Sequence, residues 1–225
     1  CVVMARGTEV NVSALQVRIG TNPDGIGGPK SRDALLAHFT NLNAPAVTPE
    51  DIASYAARLG CRIKQIEAVA KVESSGGGFD NSGKPKILFE RHWFHRLTNG
   101  KWSPSPFSQS KGGGYGESSW LKLSAACARD PDAAFSSASW GKFQVMGGHW
   151  QKLGYPSPYA MAWTAVQSEA DHYEMLIRYI EAFSLKDELQ AISANPDDCR
   201  AFAKAYNGPA YERFDYHAKI ARAMA

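Results

Sequence analysis

The stretch Val69-Ala-Lys-Val-Glu-Ser-Ser-Gly-Gly-Gly78 runs an apolar helical pattern into a carboxylate and then into consecutive glycines. Ile66, Ala70 and Glu73 are spaced by four and three residues, so they share one helical face, the one whose apolar members pack inward. A carboxyl drawn into that face loses hydration in its charged form, and the negative end of the helix dipole pushes its pKa the same way. Moving a glutamate from ~4.3 to ~6 amounts to roughly 2.3 kcal/mol of preference for the protonated form. Such a group is a proton donor near neutral pH, the chemistry that breaking a glycosidic bond requires. The same position also suits a glutamate that reaches solvent from a last helical turn.

Glycoside cleavage commonly pairs two carboxylates, about 5 to 5.5 Å apart for retention and about 6.5 to 9.5 Å apart for inversion. Glu90 is the candidate partner because it ends the apolar run Lys86-Ile-Leu-Phe-Glu90, whereas Asp80 and Glu117 lie in polar loops. Beside Arg91 it equally suits a structural ion pair. Glu90, His92 and His95 also place metal-ligand types close together. Their spacing lacks the His-Glu-x-x-His arrangement of a zinc peptidase, and no distant partner recommends itself, so neither a metal nor an organic cofactor is expected.

Positioning Glu73 falls to a helical block. Thr48-Pro-Glu-Asp51 supplies an N-cap, a first-turn proline and first-turn acids. Ile52, Tyr55, Ala56 and Leu59 then form one helical face, and Ile63, Ile66, Val69 and Ala70 the next. Lys86 to Glu90 reads as a short strand and His92 to Leu97 as a helix. Thr98 to Gly116 is a loop rich in Ser, Gly and Pro, of a length that suggests function. Ala160 to Phe183 reads as one long helix, and further helices lie around Asp197 to Tyr206 and Tyr211 to Met224. Upstream, Val12 to Ile19 and Ser31 to Phe39 read as helices flanking a glycine turn, with Asn43 to Val47 as a short linker. The fold class predicted is mostly α with a small β element, an α+β arrangement.

The 225 residues carry a net charge of +3, with 44% hydrophobic and 21% charged residues. Basic residues are interspersed rather than gathered in a stripe, which argues against nucleic acid as a partner. No run is long enough to span a bilayer, so stable membrane insertion is not expected. Cys1, Cys61, Cys127 and Cys199 are scattered, as suits small buried hydrophobes rather than zinc or redox pairs. The N-terminus lacks a basic segment followed by an apolar run and a small-residue cleavage site, so no signal peptide is evident.

Glu73-Ser-Ser-Gly-Gly77, Ser139-Trp-Gly-Lys-Phe-Gln-Val-Met146 and Ala205-Tyr-Asn-Gly208 resemble, in order, three motifs of the lysozyme-like superfamily. With Ile87 to His92 and Tyr206-Asn-Gly-Pro209 added, residues 48–225 resemble the N-acetylmuramidase family of phage endolysins. That resemblance implies a lysozyme-like catalytic domain over 48–225, with Glu73 and Glu90 catalytic and Ser139, Gly141, Gln144, Tyr206 and Asn207 binding substrate. Gly141 would allow close approach of a sugar, Gln144 would offer its amide to sugar hydroxyl and acetamide groups, and Tyr206 would aim its hydroxyl at Glu73. Asn207 would cap or bind substrate, and Trp102, Phe107, Tyr115 or Trp140 would stack on sugar rings or pack. Residues 1–43 are similar to small three-helix peptidoglycan-binding modules, joined through linker 44–47, with Asp24, Gly25, Gly28 and Arg32 as wall-binding candidates.

The activity so implied is cleavage of the β-1,4 bond between N-acetylmuramic acid and N-acetylglucosamine for host cell lysis. A lytic transglycosylase acting on the same bond, and a non-catalytic wall-binding or virion protein, are the rival readings. The expected partner is the peptidoglycan glycan strand, engaged by a monomer that waits in the host cytoplasm until a holin gives access to the wall.

Overall fold

The computed structural model describes residues 10–74, 76–103 and 116–225. Cys1, Ser75, Phe107, Tyr115 and most of the Thr98 to Gly116 loop therefore lie outside the described residues. The chain begins with two short helices, α1 (Val12–Arg18) and α2 (Pro29–His38). Asn11 caps α1 by accepting from the Ala14 N–H. Helix α2 starts earlier than expected, because Pro29 occupies the first helical position behind Gly28, where its missing N–H has no cost, and Ser31 lies inside the helix.

Helix α3 (Pro49–Leu59) opens on a reciprocal cap: the Thr48 hydroxyl accepts from the Asp51 N–H at 3.2 Å and the Asp51 carboxylate accepts from the Thr48 N–H at 2.9 Å. Gly60 closes it in the left-handed region, and α4 (Ile63–Glu73) runs back against it. Next come β1 (Ile87–Phe89), α5 (Arg91–Leu97), α6 (Ser119–Cys127) and α7 (Pro131–Ser136). Strands β2 (Ala138–Trp140) and β3 (Val145–Met146) form a hairpin on β1, giving an antiparallel sheet in order β1-β2-β3 with Leu88 opposite Ser139 and Ser139 opposite Met146.

The long helix expected over Ala160 to Phe183 is two helices, α8 (Pro158–Gln167) and α9 (Glu169–Ala182). Ser168 breaks it with an extended backbone (φ −160°, ψ 166°) and caps α9 by accepting from the Asp171 N–H. The apolar spacing continues through the break because both helices pack on the same core. Helices α10 (Lys186–Ala191), α11 (Arg200–Asn207) and α12 (Tyr216–Met224) complete the chain, with α12 lying along α4. The architecture is mostly helical with a small sheet, as the sequence predicted.

Residues 10–43 share the core of the rest. Phe39 is fully buried among the rings of Trp120, Phe135, Trp140, Tyr159 and Trp163, at centroid distances of 5.5 to 6.1 Å. The Asn41 amide donates to the Val166 carbonyl, and the Val10 N–H to Asp132. A β-carbon on Gly27 would sit 2.2 Å from the Ala128 Cβ, so the glycine turn lies directly on the end of α6. Of the three helices expected of this stretch, the described residues show two. The linker is engaged as well, since the Glu169 N–H donates to the Pro45 carbonyl.

Removing Phe39 and Leu35 from such a core would each cost about 2 to 5 kcal/mol, comparable in sum with the whole stability of a typical domain at about 5 to 15 kcal/mol. Residues 44–225 expressed alone are therefore expected to lack a cooperative unfolding transition in calorimetry. A sharp transition within a few degrees of the full chain would contradict the shared core.

Candidate active site

Ile66, Val69 and Ala70 hold the inner face of α4 in the core, and the last turn delivers Glu73 to its edge. The Ser74 hydroxyl donates to the Ala70 carbonyl at 2.6 Å while its backbone turns extended, and Gly76 at φ +93° carries the chain away. Space then opens beside the carboxyl. The cleft measures about 440 Å³ and is lined by Glu73 at the end of α4, Tyr206 and Asn207 on α11, Tyr216 on α12, Phe143 to Met146 and His149 of the hairpin and the turn after it, and Tyr179 on α9.

Burial raises the Glu73 pKa from the ordinary 4.5 to about 7, against the opposing pull of the Asn207 hydrogen bond and the Lys219 charge. The Asn207 amide donates to Glu73 Oε1 at 2.9 Å. This assigns to Asn207 the role expected of Tyr206. The Tyr206 ring stacks on Phe202 at 5.7 Å and meets Tyr179 edge-on at 5.3 Å, and its hydroxyl reaches the Phe143 carbonyl at 3.5 Å rather than Glu73. Burial, with the Glu73 charge adding to it, pushes the Tyr206 hydroxyl well above its ordinary pKa, so it stays protonated.

The polar side chains of the hairpin between β2 and β3 bond to one another. Gln144 sits at φ +51°, a conformation that a residue with a Cβ adopts only when its surroundings hold it there. Its amide donates to the Gly141 carbonyl at 2.8 Å and the Lys86 carbonyl at 3.2 Å, while its Oε1 accepts from the Ser139 hydroxyl at 2.7 Å. Ser139 and Gln144 thus build the turn, and the donor groups expected to meet sugar are already bonded. Gly141, at φ +70°, lies not under open space but against His172, whose ring carbons would be 2.8 Å from an added Cβ.

His172, on α9, escapes the reading of the sequence. A Cβ on Gly78 would lie 2.0 Å from its Nδ1, so two glycines enclose the imidazole, which also stacks on Phe79 at 4.8 Å. Nδ1 accepts from the Lys142 N–H at 3.2 Å and Nε2 donates to the Ala165 carbonyl at 2.7 Å, the bonds of a neutral ring whose pKa burial lowers. The histidine joins the loop that follows Glu73 to the hairpin. A single imidazole within an apolar helical pattern, with glycines in two distant loops, was the available signal.

Glu90 does not line the cleft. It follows β1 at the N-cap position of α5 with its carboxylate 3.3 Å from His92 Nδ1, while Arg91 pairs with Glu117. His95 bonds to Ser103, and among the described residues no three His, Cys, Asp or Glu side chains converge as a metal would need. Trp140 is buried in the core with its indole N–H on the Phe135 carbonyl, which removes it from sugar stacking. Trp102 lies outside the cleft with Lys101 and Arg129 against its ring.

In the N-terminal unit Asp24, Gly25 and Gly28 shape the turn. The buried Gln16 amide donates to Asp24 and to the Ile26 carbonyl, its oxygen accepts from the Gly25 N–H, and Gly28 caps α2. Arg32 is exposed and pairs with Asp33.

The sequence model of the N-acetylmuramidase family, Muramidase, matches residues 62–225. The chain belongs to the N-acetylmuramidase family. The match takes in Glu73, the hairpin and Asn207, so the family region contains the lining of the cleft. The fold is similar to the crystal structure of the Burkholderia AP3 phage endolysin, with a TM-score of 0.72 and 32% identity over 95% of this chain and 83% of that one. Among curated proteins, none matches the sequence significantly. This muramidase is a glycoside hydrolase of lysozyme type whose substrate is peptidoglycan.

An acid raised from 4.5 to about 7 by folding holds a proton that the unfolded chain has lost between those values, so stability falls as pH rises through that window. Above it the full charge penalty, about 3 kcal/mol, applies. Glu73→Gln is accordingly expected to match the parent in urea unfolding at pH 4 and to exceed it by about 2 to 3 kcal/mol at pH 8. Equal stability at both pH values would contradict a desolvated acid.

Proposed function

We propose that the chain is an endolysin that hydrolyses the β-1,4 bond between N-acetylmuramic acid and N-acetylglucosamine, with Glu73 as general acid. The observation that supports this reading is a carboxyl with its pKa near 7 on the wall of a sugar-sized cleft, held by Asn207 and sharing that cleft with aromatic and hairpin residues. Glu73 gives its proton to the glycosidic oxygen as the C1–O bond breaks, and the bonding pair leaves with that oxygen. Water then adds at C1, and its proton returns to the carboxylate.

Glu73 is the one carboxylate among the described residues that line the cleft. That favours a single-acid mechanism in which the acetamide of the substrate, or water directly, supplies the nucleophile. The same feature suits a lytic transglycosylase, in which the sugar's own hydroxyl attacks C1 to close a 1,6-anhydro ring. Glu90 keeps a part in our reading only as a residue that shapes the sheet end and its charged surroundings. Residues 10–43, with Asp24, Gly25, Gly28 and Arg32 on their turn and second helix, would hold the wall in register with the cleft. Release to the wall would follow opening of the inner membrane at lysis.

Glu73→Gln should lose at least about 10³-fold in wall-clearing rate, within the range that removal of a general acid and its charge produces. Mass spectrometry of the parent's digest should show reducing muramic ends; products lighter by one water would assign the transglycosylase. The acidic limb should persist at low pH, with activity falling as pH rises through about 7. In Asn207→Leu, loss of the bond that favours the charged form should move that fall to higher pH. An unmoved limb would detach Asn207 from the acid.

A further inference from the structure

From Tyr206 a run of rings that the reaction at Glu73 does not use leads out of the cleft: Tyr179 and His149 still line it, and Phe183 lies behind them, outside its lining. Tyr179 meets Tyr206 and stacks on Phe183 at 4.3 Å with an interplanar angle of 24°, and His149 stands edge-on to both Tyr179 and Phe183 at 5.8 and 5.1 Å. The exposed Lys152 closes the run, its ammonium 3.5 Å from the centre of the Phe183 ring. Among the described residues no carboxylate pairs with Lys152. The neighbouring imidazole adds no second positive charge, because burial, and then Lys152 itself, lower the His149 pKa.

The position of this lysine is fixed by the same hairpin that lines the cleft. Strand β3 passes directly into the 3-10 turn Gly147–His149, and that turn is seated on the core: a Cβ on Gly147 would meet the Phe135 carbonyl at 2.1 Å, and one on Gly148 the Trp93 ring at 2.8 Å. The Trp150 and Leu153 N–H groups bond back to Gly147 and His149, so Lys152 projects from a closed turn. A cation carried by a closed turn next to the mouth of the cleft, with a ring contact on one side and solvent on the other, is arranged to meet an anion on a ligand that extends past His149 and Tyr179.

We infer that Lys152, with Phe183 and His149, forms a distal subsite that recognises a carboxylate on the muramic side chain of the glycan. The inference rests on the peptidoglycan reading above and names the part of that substrate this end of the cleft reads. Two carboxylates share the required chemistry: those of the peptide stem, and the lactyl carboxylate that is free where the stem has been removed. A glycan of N-acetylglucosamine alone has neither. Lys152 therefore sets a preference for muramic over purely N-acetylglucosamine chains without touching the bond that breaks.

The test is binding to full-length Glu73→Gln protein, followed by calorimetry, with Lys152→Met and Lys152→Arg added to it. Methionine keeps the aliphatic contact with Phe183 and removes the charge, and arginine restores it. Three probes of equal sugar length are used: muramic glycan with peptide stems, the same glycan after amide hydrolysis, and an N-acetylglucosamine oligomer. Lys152→Met should weaken a carboxylate-bearing probe about fivefold, more at low salt and less at high salt, while the neutral oligomer is unchanged and Lys152→Arg binds as the parent does. Loss on the stem-bearing probe assigns the stem carboxylate, and loss only on the hydrolysed probe assigns the lactyl group. Equal loss on the neutral oligomer, no loss on either acidic probe, or binding of none of the three by the parent overturns the subsite. Wall hydrolysis retained by Glu73→Gln would instead sink the general-acid reading, so the two failures are separable.

Discussion

One unfavourable interaction organises this structure: the Glu73 carboxyl is kept from water at the end of α4, where its charged form is poorly solvated. A site of that kind persists only if the surrounding packing supplies more than it removes. Helix α12 lies along α4 and presents Tyr216 beside the acid, and α11 ends at Asn207, which gives the carboxyl its hydrogen bond. That bond does not cancel the effect of burial; it orients the group while leaving its pKa near neutrality. Orientation and proton affinity are thus set by different neighbours.

The hairpin that lines the cleft depends on a second constraint, the neutral ring of His172. Enclosed between Gly78 and Gly141 and bonded through both nitrogens, it ties the loop after Glu73 to the hairpin of Ser139 and Gln144. Gln144 accepts an uncommon backbone conformation because its amide bonds to the turn it occupies. Ser139 and Gln144 thus brace the turn through their side chains, and Gln144 also lines the cleft. His149 and Lys152 follow from the same hairpin, and they meet Tyr179 and Phe183 at the end of α9.

Much of this was legible locally. The inward face of Ile66, Ala70 and Glu73 and the Thr48 cap with its proline depend on contacts within one or two helical turns, and both appear as predicted. What periodicity could not show was which of two adjacent residues meets the acid: Tyr206 and Asn207 differ by roughly 100° around a helix, and the angle at which α11 arrives decides between them. The break at Ser168 was hidden because both flanking helices keep their apolar residues on one core, so cap chemistry was the sole mark. Helices α6 and α7 have apolar residues on several sides and gave no clean stripe. The N-terminal unit read as separate because the linker looks like a boundary, whereas Phe39 finds its aromatic partners more than eighty residues away. Glu90 read as catalytic or as half of an ion pair and Trp140 as stacking or packing, because local pattern does not separate these; the fold sets Glu90 beside His92 outside the cleft and Trp140 in the core.

The central claim is that Glu73 is protonated near neutral pH because it is desolvated, and a direct titration of that one group tests it. Carbon-detected NMR of protein labelled at the glutamate carboxyl, with Glu73→Gln identifying the resonance, follows its shift from pH 3 to pH 9. The structure predicts a midpoint near 7 that falls toward 4.5 when the chain is unfolded. A midpoint near 4.5 in the folded protein would contradict it.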